Sequence, residues 1–425
     1  MDATASITAI SPAVSPNRIF WATWAGWMLD GFDSAAYGLL LVSALSELLP
    51  LSGIEASKAN IAIYGGVGFS VFMLGWACSM FWGWLADHIG RVRVMCLTIL
   101  CYSIFTALCG IAFGTTSFLV LRFLVGFGVG GEWAAGTPLL HESVPESLRV
   151  RLAGWLHTAT PSGIILASAA ALLVVPAVGW RGMFLVGIFP ALLAIYLRMN
   201  IPEPRRALPL TLTASIRPLF TGSQAIVTWS AALMIACGLL GVWSSSFWIP
   251  TVVATKYLAT GHTLAQAQQM ASFASLATNF GTLAGCFLMP WIAQWLRYRK
   301  TVGIVFFAAS MLCNVVAYYG LLEKLDNITL FLVTVPLLGF FTNGVFALFT
   351  VWLPELFAGQ SRGSGLGFTF SLGRILAAAG PLMIGALAAH TGSYPVAITL
   401  ISVIYIPGMV FVAMCRETAG KSLPA

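Results

Sequence analysis

Six ionisable side chains stand well inside long apolar stretches of the chain: Asp30, Asp33, Arg122, Glu132, His157 and Arg374. An ionisable group held in a bilayer is costly and commonly marks a substrate or proton pathway. Asp30 and Asp33 are three residues apart, which puts both carboxylates on one face of a helix. Arg374 falls near the middle of its apolar run, Arg122 in the outer third of another, and Glu132 toward the inner end of that same run. The planar guanidinium of Arg122 or Arg374 can bind a carboxylate through two hydrogen bonds. Desolvation raises the pKa of a buried carboxylate, and a nearby arginine lowers it. A substrate that draws that arginine away would therefore leave Asp30, Asp33 or Glu132 to take up a proton. That exchange is a physical basis for moving an organic anion together with a proton.

Each of these residues also has a plainer reading. An arginine and a carboxylate can form a structural ion pair, Glu132 can brace a nearby loop, and His157 can be a packing residue as well as a proton carrier. Asn279, Asn314 and Asn343 can bridge helices or touch substrate. The aromatic group Trp243, Phe247 and Trp248 can line a cavity and stack on an aromatic ligand, or sit in an interfacial belt. Glu142 and Arg149 follow one run with spacing E-x6-R, and Glu355 and Arg362 repeat that spacing 213 residues later. These four lie in turns, where charges brace loops or form a gate.

The elements that must position these groups are legible from composition. Of 425 residues, 59% are hydrophobic and only 8% charged, whereas a soluble domain carries roughly 25% charged residues. Most of this surface must therefore meet lipid. Apolar runs fall at roughly 19–43, 60–82, 94–113, 117–138, 153–176 and 181–199, then at roughly 227–252, 267–292, 301–321, 328–352, 365–388 and 394–415. They predict an all-α polytopic membrane protein of twelve spans. The expected parts are an N-terminal tail (1–18), a six-helix bundle (19–199), a linker (200–226), a second six-helix bundle (227–415) and a C-terminal tail (416–425).

Charge then orients the bundle. With the N-terminus inside, fifteen Lys and Arg fall in cytoplasmic segments and four on the opposite side. That bias places both termini in the cytoplasm, in a cell inner (plasma) membrane. The net charge of +7 is explained by this orientation and predicts no nucleic-acid partner. The N-terminal stretch lacks the pattern of a cleaved signal peptide. The eight cysteines form no CxxC pair, so no zinc site or disulfide framework is expected. At the 213-residue offset Gly126, Gly131 and Gly154 fall on Gly339, Gly344 and Gly367, as expected of two related halves. Parallel repeats of this kind build many secondary transporters, with the substrate between them.

The loop after the second run, Gly83-Trp-Leu-Ala-Asp87-His-Ile-Gly-Arg91-Val-Arg93, resembles the G-x-L-A-D-x-x-G-R-x-R signature of the major facilitator superfamily. The resemblance covers the whole chain. It implies that Asp87, Arg91 and Arg93 latch the cytoplasmic side while the outside is open. The corresponding loop of the second half, 293–300, keeps basic charge but lacks the aspartate. Three further stretches narrow the likeness: Asp30-Gly-Phe-Asp33, Gly130-Gly-Glu132-Trp-Ala-Ala-Gly136, and Gly367-Phe-Thr-Phe-Ser-Leu-Gly-Arg374. Together they resemble the organic-acid branches, namely the aromatic acid:proton and the sialate or lactate:proton symporters. That likeness implies proton-driven uptake of a carboxylate such as a sugar acid, a monocarboxylate or an aromatic acid.

The reading that follows is a monomeric secondary transporter with no cofactor, driven by the proton gradient. Its substrate would be held by Arg374 and Arg122, with Trp243, Phe247, Asn279 and Asn343 around it. Asp30, Asp33, Glu132 and His157 are the candidate proton carriers. The candidate gate comprises Asp87, Arg91, Arg93, Glu142, Arg149, Glu355 and Arg362. An exporter of drugs or metabolites is the alternative, although the fifth run reads Ala159-Thr-Pro-Ser-Gly163 rather than the exporters' G-P-rich pattern. A nutrient-sensing receptor would be expected to carry longer tails. An enzyme is not expected, since no metal-ligand spacing or nucleophile–base pair stands out.

Overall fold

Apolar segments in lipid must satisfy their backbone polar groups internally, and helices do this segment by segment. In a computed structural model, the described residues are 15–201, 203 and 215–424, and every regular element among them is helical. Each of the twelve apolar runs coincides with a helical passage, and we number these α1–α12.

The first half opens with α1, Pro16–Leu51. Helix α2 comes in two pieces, Lys58–Trp76 and Ser79–Ile89, and is followed by α3 (Arg91–Cys109) and α4 (Thr115–Ser143). Helix α5 begins as Glu146–Leu156 and resumes at Ala159. It runs to Gly179, whose φ of 69° makes the kink into α6, and α6 finishes as Pro190–Asn200.

The second half holds α7 (Gly222–Ser245, then Ile249–Ala259) and α8 (Leu264–Trp295). Helix α9 runs from Arg299–Asn314 into a π-helical Val315–Lys324. In α10 a π-turn, Gly339–Asn343, joins Ile328–Leu338 to Val345–Leu356. Arg362–Ala377 and Ala379–Thr391 make α11, and Tyr394–Ile401 and Tyr405–Met414 make α12. Between the halves helix resumes at Ser215, and α7 begins at Gly222.

Local chemistry sets many of these ends. Ser57 Oγ accepts from the Asn60 amide, Thr263 and Gln266 form a reciprocal capping box, and Asn327 Oδ1 accepts from Leu330. Pro16 and Pro190 occupy first turns, where a missing N–H does no harm.

Among the described residues eight stretches are long and apolar enough to cross a membrane. Large apolar side chains stay exposed along the flanks, Phe113, Val333, Leu312 and Leu192 among them. So large an apolar surface needs lipid around it, and the chain is a multi-pass membrane protein.

Within each half the helices approach closely at small residues. A side chain on Gly126 of α4 would strike the backbone of Phe72 in α2, and one on Gly339 of α10 would strike Thr278 in α8. These two glycines are 213 residues apart and hold matching crossings in the two halves. Between the halves, α2 packs along α11 and α5 along α8. Gly83 of α2 lies so near Gly363 of α11 that no β-carbon would fit.

Candidate functional site

The sequence placed its buried charges on α1, α4 and α11, and these three helices bring them together. Asp33 is buried and accepts a hydrogen bond of 2.5 Å from the Thr106 hydroxyl of α3. The charge of Arg122 on α4 reaches it. Arg122 is wholly enclosed, and none of its three guanidinium nitrogens has a hydrogen-bond acceptor. The guanidinium lies instead between the rings of Tyr37 and Phe72, 4.3 and 4.6 Å from their centroids. The second carboxylate oxygen of Asp33 likewise has no donor. This pair belongs entirely to the first half.

Asp30 lies one turn earlier, half-buried, with the Ser34 hydroxyl 3.5 Å away. It senses Asp33 on its own helix and Arg374 of the second half. Arg374 is buried, donates to the carbonyl of Trp76 in α2 at 3.3 Å, and lies over the rings of Trp76 (4.1 Å) and Phe370 (5.1 Å). The charge of Arg374 therefore reaches Asp30 across the seam between the halves.

Glu132 sits deeper in the first half. It is fully buried, with Thr98 Oγ1 3.4 Å from one oxygen and no donor to the other. Room for it exists because residue 26 is glycine: a β-carbon there would overlap the carboxylate. This interior position excludes the loop-bracing reading. Next to it, Trp133 stacks on Trp27 at 6.1 Å and meets Phe370 of the second half at 3.9 Å.

Tyr102 of α3 is a site residue that sequence reading missed. It is buried, its hydroxyl has no partner, and the charges of Glu132, Asp30 and Asp33 all reach it. A tyrosine in an apolar run carries no signal that distinguishes it from core.

The remaining candidates divide. His157 is half-buried at the seam, 3.3 Å from the Thr350 hydroxyl, edge-on to Trp27 and stacked on Phe346. Trp243 faces the other half, edge-on to Phe69 at 5.3 Å, so it lines the seam rather than lipid. Trp248 packs on Tyr394 within its own half. The Asn343 amide donates to Ser246 of α7 at 3.2 Å, bridging helices, and Asn279 donates to the Ser275 carbonyl of its own helix. Asn314 is buried beside Tyr405 of α12. The side chain of Phe247 lies outside the described residues.

The loop charges converge at one end of the bundle. Asp87 accepts from the Gly363 amide (3.2 Å) and from the Ser364 amide and hydroxyl (both 2.7 Å), at the N-terminus of α11. Arg91 pairs with Asp87 and with Glu142 at 3.2 Å, and Arg362 reaches Glu142 at 3.0 Å. The chain Asp87–Arg91–Glu142–Arg362 thus ties the two halves together. Arg93 stands outside it, exposed, bonded to the carbonyl of Ile89 while its amide meets Glu203. Arg149 lies 3.8 Å from Glu146 in its own helix.

Glu355 pairs with Arg299 at 3.2 Å and accepts from Thr418 at 2.5 Å. It repeats the Arg91–Glu142 pair in the second half. Where the second half lacks the aspartate, α5 and α8 are joined by aromatic packing: Trp155 stacks on Phe287 and donates to its carbonyl at 3.1 Å. The latch is ionic on one seam and aromatic on the other.

A buried arginine facing an acid across two helical halves, above a closed ionic latch, can bind an anion and respond to its charge. Comparison with known proteins places the fold in a family. The Major Facilitator Superfamily model matches residues 23–322. The chain is 25% identical to the niacin transporter NiaP of Acinetobacter baylyi, covering 95% of each chain. It is 26% identical to the gentisate transporter of Corynebacterium glutamicum, covering 88% of this chain and 82% of that one. Its fold matches the proton:xylose symporter XylE bound to 6-bromo-6-deoxy-D-glucose, with TM-score 0.79, 16% identity, and 96% and 97% of the two chains covered.

Proposed function

The chain belongs to the major facilitator superfamily, and from that premise we propose that it imports an organic carboxylate anion by proton-coupled symport. It is a transporter and not an enzyme. The observation that carries the reading is Arg374 of α11, buried at the seam on the Trp76 carbonyl and the rings of Trp76 and Phe370, within electrostatic reach of Asp30 on α1. A carboxylate arriving at Arg374 competes with Asp30 for the same cation. The acid that loses its counter-charge in an apolar setting gains affinity for a proton. Asp33 with Arg122, enclosed in the first half, and Glu132 beside Asp30 are the further sites from which that proton is drawn or to which it passes. Arg122 supplies charge to Asp33 rather than a free face for the substrate, since its guanidinium is enclosed by Tyr37 and Phe72.

Within the carboxylates the surroundings of Arg374 favour a planar aromatic acid. The rings of Trp76 and Phe370 flank it, and Trp133, Trp243 and Phe69 stand along the same seam. Niacin and gentisate, carried by the relatives named above, are both aromatic acids.

The transporter acts as a monomer, with its halves bounded near 19–199 and 227–415 and the Asp87 latch in the cytoplasm. That latch is closed here, which corresponds to a site reached from outside. Rocking of the halves then delivers substrate inward as the latch opens.

Purified protein in liposomes, offered labelled benzoate, gentisate, nicotinate, lactate and sialate under an inward proton gradient, tests the proposal. Gradient-driven accumulation of an aromatic acid is the expected result. Accumulation of none of these acids, with proton-driven expulsion of loaded cationic or neutral compounds, would overturn it in favour of an exporter.

A further inference from the structure

Helix α2 breaks at Ala77–Cys78, between its pieces Lys58–Trp76 and Ser79–Ile89. In an unbroken helix the amide of Met80 would donate to the carbonyl four residues back, that of Trp76. Both groups of that missing bond are instead taken by α11. The Met80 amide donates to Ser371 Oγ at 2.9 Å, and the Trp76 carbonyl accepts from Arg374 Nη1 at 3.3 Å. Ser371 and Arg374 are three apart on one face of α11, so a single helix face staples the break open. The same seam continues downward through the Gly83–Gly363 approach to the amides of Gly363 and Ser364 on Asp87. Residues 76, 80, 83 and 87 follow the i, i+4, i+7, i+11 spacing of one helical stripe. The break, the seam and the latch are therefore one continuous contact.

We infer that this break is the joint through which the substrate site releases the latch, with Ser371 as its positioning residue. The inference rests on the reading of Arg374 as the carboxylate's anchor. A carboxylate is a stronger acceptor for a guanidinium than a peptide carbonyl is. Substrate at Arg374 therefore removes one half of the staple. The freed Trp76 carbonyl then recovers the Met80 amide, α2 rewinds by one hydrogen bond, and the segment below shifts against α11. That shift strains the Asp87 contacts at the far end of the seam. Ser371 holds the break open in the absence of substrate, so the latch stays shut until a carboxylate arrives.

Hydrogen exchange of the full-length protein in lipid nanodiscs tests this, read at the Gly363 and Ser364 amides that Asp87 holds. Ser371→Ala leaves the Met80 amide without its acceptor in the broken form and so favours rewinding. It is expected to speed exchange at Gly363 and Ser364 about tenfold without any substrate, the low end of what an unpaired buried amide is worth. Met80→Pro acts in the opposite direction: proline is tolerated in the first turn of Ser79–Ile89 yet has no N–H with which to rewind. It is expected to bind aromatic carboxylates while the latch amides stay protected.

Wild-type exchange rates in a folded Ser371→Ala protein would overturn the joint. Should that variant fail to fold, latch release by gentisate or nicotinate in Met80→Pro would overturn it equally. If Ser371→Ala exchanges quickly while no carboxylate alters the wild type, the joint stands and the carboxylate reading of Arg374 falls.

Discussion

Replacement of Arg374 isolates the anchor from the rest of the seam. The guanidinium is buried, bonded to a backbone carbonyl and laid over two rings, so its plane is fixed before a ligand arrives. A bidentate carboxylate adds two charge-assisted hydrogen bonds, each worth roughly 1.5–3 kcal/mol. The Trp76 carbonyl must be given up, which returns about one such bond. The net loss in Arg374→Ala is then about 2 kcal/mol, or roughly 30-fold in affinity. Arg374→Lys keeps the charge but loses the fork and the stacking, and should cost about 1.5 kcal/mol, near tenfold.

The assay is calorimetric titration of the detergent-purified protein with gentisate or nicotinate and with the neutral carboxamide of each. Wild type should prefer the acid to the amide. Arg374→Ala should bring the two within a few-fold of one another, with amide binding little changed because the aromatic walls remain. An acid preference that survives Arg374→Ala would refute the assignment, whatever happens to the rate of transport.

Further expectations concern the acids, the latch and the packing. Asp30→Asn, which removes the acid that competes for Arg374, should abolish gradient-driven accumulation while sparing exchange of labelled for unlabelled substrate across the bilayer; if accumulation persists, the proton travels by Asp33 or Glu132. Glu142→Gln removes the carboxylate that both Arg91 and Arg362 share, and because Glu142 is partly exposed the loss is about 1–3 kcal/mol. It should open the latch end measurably, seen as faster labelling of introduced cysteines lining it, and an unchanged rate would exclude the ionic chain as the latch. Gly26→Ala sets a methyl against the Glu132 carboxylate and should lower the melting temperature of the protein, an effect that the double variant Gly26→Ala with Glu132→Ala should relieve.

Much of the fold was legible because lipid imposes a simple rule on sequence. A chain with 8% charge has few places to turn, and each of the twelve apolar runs proved to be a helical passage. The breaks inside those passages were not legible. Nothing in the run around Ala77 and Cys78 resembles a helix stop, since neither proline nor a cluster of polar residues is present. The break persists because Ser371 and Arg374, nearly 300 residues away, satisfy the backbone it exposes.

The same limit applied to the site. Asp30, Asp33, Arg122, Glu132 and Arg374 announced themselves by charge in apolar surroundings. Which acid faces which arginine depends on helix rotation, which one-dimensional spacing does not encode. Tyr102 and the aromatic seam of Trp155 and Phe287 were hidden for a different reason: an aromatic residue in a membrane helix reads alike in core, seam and belt.

Symport itself is tested most directly by following protons as the acid moves. Proteoliposomes with no imposed gradient would receive gentisate or nicotinate outside, while a pH electrode records the unbuffered medium. The account predicts that the medium turns alkaline as substrate enters, and that Asp30→Asn abolishes the signal. Entry of the acid with no accompanying proton movement in the wild type would contradict it.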